Sequence, residues 1–514
     1  MGIARVASRA QLGLAAPRVM VEVHLGGGLP TFGIVGLPAT AVKESKDRVR
    51  AALANSGFEF PAGRITVNLS PADLPKEGCR YDLPIALGIL LASAQIEFAA
   101  ALLDACEFYG ELGLTGELKP IKGVLLAAAH AAREARGVVV PSANLNEARL
   151  ASPAAARGAA SLLAVCELLQ GRTHFAPALI DETCAVQPGE LAHPEKPLDL
   201  ADVRGHAQPK RALLIAAAGG HSLLLVGPPG TGKSMLALRL PGLLPALEGD
   251  DALDVASIAS VSARGFAPRD YGRRPFRAPH HSASASAIIG GGPQARPGEV
   301  SLAHRGVLFL DELPEFNRSV LESLREPLET GVVAIARVAL QVEYPARFQF
   351  IAAMNPCPCG YLGDVSGRCR CAPPEISRYR ARISGPLLDR IDLRVEVVAV
   401  PSEELLDERA IPDASTSTAE LAQRVRVARE LQRRRAGKLN ADLASSEIQV
   451  VCRLDRRCRT LLSHARAKLE LSARGVHRVL RVARTIADLA SEEMLQPIEP
   501  SHLAEALQLR RNPG

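Results

Sequence analysis

The chain has 514 residues, of which 47% are hydrophobic and 23% charged, a balance typical of globular proteins rather than of disordered or fibrous ones. Its net charge of +6 permits nucleic-acid binding but does not argue for it, because the charge is spread over a large surface. The longest apolar stretch, Leu83 to Ile96, is too short and too rich in alanine to span a membrane. We therefore expect a cytoplasmic protein of about three or four domains, with no membrane partner.

Residues 1–172 alternate strand-like and helical segments, which predicts an α/β domain of their own. The strand-like segments are residues 19–23, 64–68 and 137–141, and the helical segments are residues 41–56, 82–94 and 123–135. Residues 173–198 lose this pattern and are rich in proline and charge, so we expect a linker there. A second α/β domain, over residues 199–400, is predicted from the nucleotide-binding motifs that it carries.

The first of these motifs is a phosphate-binding loop. Residues 222–234 read Ser-Leu-Leu-Leu-Val-Gly-Pro-Pro-Gly-Thr-Gly-Lys-Ser, an apolar strand that leads through G-x-x-x-x-G-K-[ST] into a helix. In such a loop the backbone amides surround the phosphates, the lysine reaches the terminal phosphates and the serine hydroxyl ligates magnesium. The sequence thus predicts binding of ATP and Mg²⁺ by Gly227, Pro228, Pro229, Gly230, Thr231, Gly232, Lys233 and Ser234.

Two further strands end in polar residues suited to ATP hydrolysis. The apolar run at residues 307–310 leads into Asp311 and Glu312, of which the first can hold magnesium and the second can orient and polarise the attacking water. Residues 348–354 form a similar run that ends at Asn355, which we expect between these acids and the γ-phosphate. Arg390 lies at a predicted helix-to-strand junction, where it can stabilise the transition state in a neighbouring subunit.

A cluster of cysteines follows Asn355. The pattern Cys357-x-Cys359-x9-Cys369-x-Cys371 places four thiols in a loop over residues 357–371, and four thiolates suit tetrahedral Zn²⁺ in a structural role. The C-x-C spacing is tighter than the usual C-x-x-C, so a reduced cysteine-rich loop without metal remains an alternative.

Residues 401–514 are predicted to form an α-helical domain, with helices over 418–435, 452–469, 475–495 and 500–511. Two basic stretches in this domain could face DNA phosphates or form solvated helix faces, and both interpretations stay open. Their members are Arg424, Arg426, Arg429, Arg433, Arg434, Arg435 and Lys438, then Arg453, Arg456, Arg457 and Arg459. His280 and His281 could likewise meet DNA or complete a turn.

Together these elements resemble the AAA+ ATPases, in particular the branch that contains magnesium chelatase and the replicative MCM helicases. The resemblance implies sensor 1 for Asn355, a finger acting in the neighbouring subunit for Arg390 and sensor 2 for Arg474. It also implies a ring, usually a hexamer, with the C-terminal helical domain as a lid. Residues 282–303 resemble the helix-2 insert and residues 332–342, with Arg337 near the turn, resemble the pre-sensor hairpin, both pointing into a central pore.

Four segments narrow the resemblance to the YifB/ComM family of bacterial magnesium-chelatase-like proteins, over residues 4–511. They are residues 276–281, 355–360, 384–390 and 472–488. Membership implies a hexameric ATP hydrolase that acts on single-stranded or branched DNA as a helicase-type motor. It would promote branch migration when incoming single-stranded DNA is recombined during natural transformation.

The N-terminal domain resembles the proteolytic domain of Lon, which uses a serine nucleophile with a lysine base. Arg80 stands at the serine's place and Leu125 at the lysine's place, while Cys79 and Lys122 are nearby but out of register. We therefore expect a non-catalytic platform or a collar that contacts DNA.

A DNA motor is the function that fits best. The protease alternative lacks the Ser/Lys pair, and chelatase motor subunits as a family lack a fused Lon-like domain. A chelatase-like motor subunit or a protein-remodelling ATPase remains the second interpretation.

Overall fold

In a computed structural model of the chain, the described residues are 2–97, 100–171, 198–292, 295–337, 340–363, 367–401, 417–491, 493 and 496–511. The predicted linker over residues 173–198 lies outside them except for its last residue, Leu198. Within this part of the chain, no helix combines the length and the apolar character needed to cross a bilayer.

The strands are β1 (Gly2–Arg9), β2 (Arg18–Gly26), β3 (Thr31–Val35), β4 (Arg64–Ser70), β5 (Cys106–Phe108), β6 (Glu111–Leu112), β7 (Leu118–Lys119), β8 (Gly137–Pro141), β9 (Ala156–Ala159), β10 (Leu223–Val226), β11 (Phe276–Arg277), β12 (Gly290–Gly291), β13 (Arg296–Pro297), β14 (Val307–Leu310), β15 (Val332–Arg337), β16 (Leu340–Pro345), β17 (Gln349–Met354) and β18 (Leu393–Glu396). The three strand-like segments predicted before residue 172 are confirmed as parts of β2 and β4 and as β8.

The helices are α1 (Thr40–Lys43), α2 (Ser45–Asn55), α3 (Asp82–Ala92), α4 (Ala100–Ala105), α5 (Val124–Arg133), α6 (Leu145–Ala151), α7 (Leu162–Leu169), α8 (Ala207–Gly219), α9 (Lys233–Ala237), α10 (Leu240–Leu243), α11 (Gly249–Ser260), α12 (Ala285–Ile289), α13 (Glu299–Leu302), α14 (Arg318–Ser323), α15 (Arg325–Thr330), α16 (Pro373–Arg380), α17 (Gly385–Asp389), α18 (Thr418–Ala436), α19 (Ser445–Val451), α20 (Arg456–Lys468), α21 (Ala473–Ala490) and α22 (Pro500–Gln508). Helix α20 begins four residues later than predicted, because the Asp455 carboxylate accepts a hydrogen bond from the Cys458 amide at 2.7 Å and caps the helix there.

The chain divides into two compact units. One contains Met1–Ala192, Glu248–Arg273 and Ala334–Tyr344, and the other contains His193–Leu247, Arg274–Val333 and Pro345–Gly514. Two segments of the predicted nucleotide domain thus group with the N-terminal residues, and the predicted lid groups with the nucleotide-binding strands.

The first unit is built on a four-stranded sheet in the order β1-β2-β4-β3, in which only β3 and β4 pair in parallel. Strand β2 alternates in burial, with Val19, Val21 and Val23 inside, and α3 packs against β1 and β2. A parallel sheet in the order β5-β8-β9 and the helices α5 and α6 complete the unit, and α11 packs against α5.

The second unit is built on a five-stranded parallel sheet in the order β11-β14-β17-β10-β18. Strands β10, β14 and β17 are buried along their whole length, as the near-continuous apolar runs predict for a parallel sheet covered on both faces. Helices α18 and α21 pack against α8, and α22 packs against α21. The carboxyl ends of all five strands lie at one edge of the sheet, which is where ligands bind in open α/β folds.

Candidate functional site

The phosphate-binding loop lies between β10 and α9, as predicted. The Gly227 amide donates to the Met354 carbonyl at 3.2 Å, which holds the start of the loop against the neighbouring strand β17. Gly232 precedes the first residue of α9 with a φ of 83°. This left-handed conformation favours glycine, so the glycine of the motif sets the turn from which the helix begins.

Lys233 is folded onto the loop. Its Nζ donates to the carbonyls of Gly227 and Pro228, each at 2.7 Å, and to Oδ1 of Asn355 at 3.2 Å. Burial lowers the pKa of the ammonium, while the charges of Asp311 and Glu312 oppose that shift. Hydrogen bonds from Lys233 therefore connect the loop to the end of β17.

The serine and the first acid of the predicted magnesium site are in contact. Ser234 Oγ donates to Asp311 Oδ2 at 2.5 Å, and the backbone amide of Glu312 donates to Asp311 Oδ1 at 2.9 Å. A hydroxyl and a carboxylate are hard oxygen donors of the kind that Mg²⁺ selects, so this pair fits the ion.

Glu312 projects from a strained turn. Its backbone is left-handed, with φ of 52° and ψ of 48°, and its side chain is 54% exposed. Oε2 of Glu312 lies 3.2 Å from Nδ1 of His281, and the His281 ring meets Phe316 edge-on with centroids 6.5 Å apart. The carboxylate predicted to orient water is therefore held by a histidine whose role the sequence left open.

His281 could have been found from the strand order. It follows β11, which pairs in parallel with β14, the strand that ends at Asp311 and Glu312. Residues just beyond the carboxyl ends of neighbouring parallel strands lie close together. The pairing of such a short strand is not evident from sequence alone.

The phosphate-binding loop, the two acids and Asn355 line one cavity of about 250 Å³. Its walls are Pro229, Gly230, Thr231, Gly232, Lys233, Ser234, Met235, Asp311, Glu312, Met354 and Asn355. The loop, both acids and the Asn355 side chain, which are separated by up to about 130 positions in the chain, thus converge on a single cavity.

Arg390 and Arg474 are not among the described residues that line this cavity. Arg390 follows α17, pairs with Glu329 and donates to the Pro386 carbonyl at 2.9 Å. Arg474 is exposed in the first turn of α21. Their roles as finger and sensor 2 stay predictions.

The four clustered cysteines are brought together. The Sγ atom of Cys357 lies 3.4 Å from that of Cys359 and 3.8 Å from that of Cys369, and the Cys359 and Cys369 sulfurs are 3.7 Å apart. Together with Cys371, all four ligand atoms lie within 4.8 Å of one another. Tetrahedral zinc with Zn–S bonds of about 2.3 Å requires sulfurs about 3.8 Å apart, so the cluster fits that ion.

The two basic stretches differ in their surroundings. On α18, Arg429 and Arg435 are buried and bind the Ala217 carbonyl and Asp488, while Arg434 pairs with Glu430. On and just before α20, the basic side chains are exposed, and none of them has an ion pair within 4.0 Å to an acidic side chain of the described residues. They are Arg453, Arg456, Arg457, Arg459, Arg466 and Lys468.

The positions predicted to correspond to the Lon catalytic pair make structural contacts. Arg80 donates to Gln11 Oε1 at 2.8 Å and to the Lys122 carbonyl at 3.0 Å, and Leu125 is fully buried in α5. Burial raises the pKa of the Cys79 thiol to about 11, which keeps this neighbour protonated at neutral pH.

Three family models match the chain. Residues 199–405 match "Magnesium chelatase, subunit ChlI", residues 415–510 match "Magnesium chelatase, subunit ChlI C-terminal" and residues 21–144 match "Subunit ChlI of Mg-chelatase". The first two cover the nucleotide-binding strands and the C-terminal helices of the second unit.

Full-length relatives narrow the assignment. The chain is 48% identical to competence protein ComM of Haemophilus influenzae, over 99% of this chain and 98% of that protein. It is 47% identical to YifB of Escherichia coli, over 99% of this chain and 97% of that protein. The 38 kDa subunit of magnesium chelatase from Cereibacter sphaeroides is 26% identical over 40% of this chain and 63% of that subunit. The chain therefore belongs to the YifB/ComM family of magnesium-chelatase-like AAA+ proteins.

Proposed function

We propose that the protein is an ATP hydrolase that assembles into a hexameric ring and uses ATP to move DNA in branch migration.

 The setting would be homologous recombination of incoming single-stranded DNA during natural transformation. The observation that carries the hydrolase part is the single cavity in which Lys233, Asp311, Glu312 and Asn355 converge. The name of the competence relative supports the DNA part, because that relative aligns with this chain from end to end.

Within this proposal, different residues would bind the phosphates and the magnesium ion. The loop amides and Lys233 would bind the phosphates, and Lys233 already holds three oxygen acceptors that phosphate oxygens can replace. Ser234 and Asp311 would hold Mg²⁺, which neutralises charge on the phosphates when bound. The two oxygen atoms are 2.5 Å apart, so both are close enough to serve as ligands of one ion.

Glu312 and Asn355 would act on the attacking water. The exposed Glu312 carboxylate can accept a hydrogen bond from water and polarise it, and Asn355 is fixed by its bond to Lys233. His281 would be a positioning residue, because it contacts Glu312 and does not line the cavity.

The positions of the two arginines support the ring part of the proposal. Arg390 is absent from the lining of the cavity in its own chain, as expected for a finger that serves a neighbour's site. Its ion pair with Glu329 would keep the guanidinium in place until a neighbouring subunit docks. We assign Arg474 as sensor 2 and the helices after residue 417 as the lid.

Several elements are candidates for DNA contacts. The proposed helix-2 insert contains α12, the antiparallel pair β12–β13 and α13, and the proposed pre-sensor hairpin consists of β15 and β16. The exposed basic side chains of α20 add a surface with positive charge that no described acidic partner neutralises by an ion pair. The N-terminal unit would be a non-catalytic, Lon-like platform.

We also propose Zn²⁺ as the ion of the four-cysteine cluster, in a structural role. Four protein ligands would leave no open coordination position for a substrate. The spacing of the sulfurs supports this choice.

A chelatase-type motor subunit is the second candidate function. The match of all three chelatase family models favours it. The extent of the alignments argues the other way, because the chelatase subunit aligns with 40% of this chain and the competence relative with 99%.

The ATP site is tested with two variants. Lys233→Ala should lower ATP turnover at least about a hundredfold, since it removes the cation that meets the phosphates. Glu312→Gln should lose turnover to a similar extent but still bind nucleotide, measured with a fluorescent ATP analogue. Lys438→Ala, which removes a lysine paired with Glu447 outside the cavity, is the control. Unchanged hydrolysis in Lys233→Ala would refute the site.

The role of His281 is tested by steady-state kinetics. His281→Ala should lower kcat about tenfold and leave KM within about twofold, because it releases the carboxylate without touching the phosphates. His281→Asn should restore part of kcat by offering a donor to Glu312. His24→Ala, which changes an exposed histidine on β2, is the control. Equal effects of the two alanine variants would show that His281 has no special role.

The basic surface of α20 is tested by the salt dependence of DNA binding. Replacing Arg453, Arg456 and Arg457 by alanine should reduce the slope of log affinity against log salt by about 2 for single-stranded DNA, at about 0.7 per lost phosphate contact. The control replaces Arg424, Arg426 and Arg434 on α18 and keeps the change in charge the same. Equal slopes for the two triple variants would exclude α20 as a specific DNA contact.

A further inference from the structure

The four-cysteine loop is joined directly to the ATP site. Strand β17 ends at Met354, Asn355 lines the cavity, and the fully buried Cys357 follows two residues later. The loop then leads into α16, where the Arg380 guanidinium donates to the Pro356 carbonyl at 3.2 Å. The start of the loop and the end of α16 are thus both held beside Asn355.

Gly360 brings the loop against the phosphate-binding loop. A Cβ atom at this position would lie 2.7 Å from Cδ of Pro229 and 3.7 Å from Cγ of Asn355. The backbone there has a φ of 85°, and its amide donates to the Cys357 carbonyl at 3.0 Å. A rigid proline ring cannot move aside as a flexible side chain can, so only glycine permits this close approach.

Little of the described part of the loop beyond Gly360 is buried. Tyr361, Leu362, Cys369 and Cys371 are half-buried, and Gly363, Gly367, Arg368 and Arg370 are exposed. A segment without an apolar core needs another source of order, and a metal bound by four thiolates can supply it. The sulfur spacing of the cluster suits zinc.

We propose that the four-cysteine loop is a metal-dependent brace of the ATP site. Zinc would hold Gly360 against Pro229 and fix the end of β17, so that Asn355 keeps its bond to Lys233. ATP turnover then depends on an ion that touches no substrate. This inference rests on the proposed ATP hydrolysis and on the proposed zinc site.

The first test compares metal content with activity. The purified full chain should hold about one zinc per chain by elemental analysis. The double variant Cys369→Ser/Cys371→Ser changes the two ligands that lie farther along the chain from Asn355. It should lose the zinc, and its ATP turnover should fall at least about tenfold. Cys79→Ser, a free thiol outside the cluster, should change neither. Wild-type protein without zinc, or full turnover after its loss, would overturn the inference.

The second test separates the effect of the contact between Gly360 and Pro229 from the effect of metal binding. It remains valid even if the cysteine variants fail to fold. Gly360→Ala should keep its zinc and yet lower turnover, because its Cβ would push against Pro229. Gly363→Ala is the matched control, with a similar φ of 80° and, apart from its chain neighbours, no atom of the described residues within 4 Å of the added Cβ. Equal turnover in the two variants would overturn the brace.

The same pair of variants distinguishes failure of the brace from failure of the proposed function. If the wild-type chain hydrolyses no ATP, the hydrolase proposal fails, and binding of a fluorescent ATP analogue still tests the contact. In that case weaker nucleotide binding by Gly360→Ala than by Gly363→Ala supports the brace, and equal binding overturns it.

Discussion

The parallel pairing of five strands is the constraint on which the candidate site depends. Strand β17 lies between β10 and β14, so Asn355 at its end lies between the phosphate-binding loop and the acid pair. The hydrogen bond from Lys233 to Asn355 and that from Ser234 to Asp311 join the ends of all three strands. Each of these residues directly follows its own strand, and the parallel pairing of the strands brings them close together.

The C-terminal helices are tied to the same sheet through buried charges. Arg478 on α21 donates to Asp392 at 2.5 Å and to the Arg390 carbonyl at 3.0 Å, while Asp392 also accepts from the Ser222 amide just before β10. Burial alone would raise the pKa of Asp392, but the His221 ring, whose Nδ1 lies 3.5 Å from Oδ2, and the charge of Arg478 hold that pKa well below its usual range. In the proposed ring, one helix would thus connect Arg474, one turn earlier, with the finger Arg390.

Much of the site could be predicted from sequence because its residues follow strong local patterns. The loop from Gly227 to Ser234, the acids after β14 and Asn355 after β17 were each recognisable from an apolar run and a polar end. His281 was not, because its contact with Glu312 depends on the pairing of β11, a strand of two residues. Helical spacing also could not distinguish the buried Arg435 from the exposed arginines. Arg435 is buried because it pairs with Asp488, which lies 53 positions away in the chain.

The division of the chain into two compact units was the feature hardest to predict from the sequence. Residues 248–273 lie between motifs of the nucleotide domain but group with the N-terminal unit, where Ser260 donates to the buried Glu147 at 2.9 Å. Such long-range packing leaves no local signature, whereas strands and helices do.

Branch migration of a mobile four-way DNA junction by the purified protein tests the proposed DNA motor. We expect ATP-dependent conversion of the junction by the wild-type chain and none by Glu312→Gln, with DNA raising ATP turnover. A wild-type chain that hydrolyses ATP but neither binds nor converts the junction, and whose turnover DNA leaves unchanged, would contradict it.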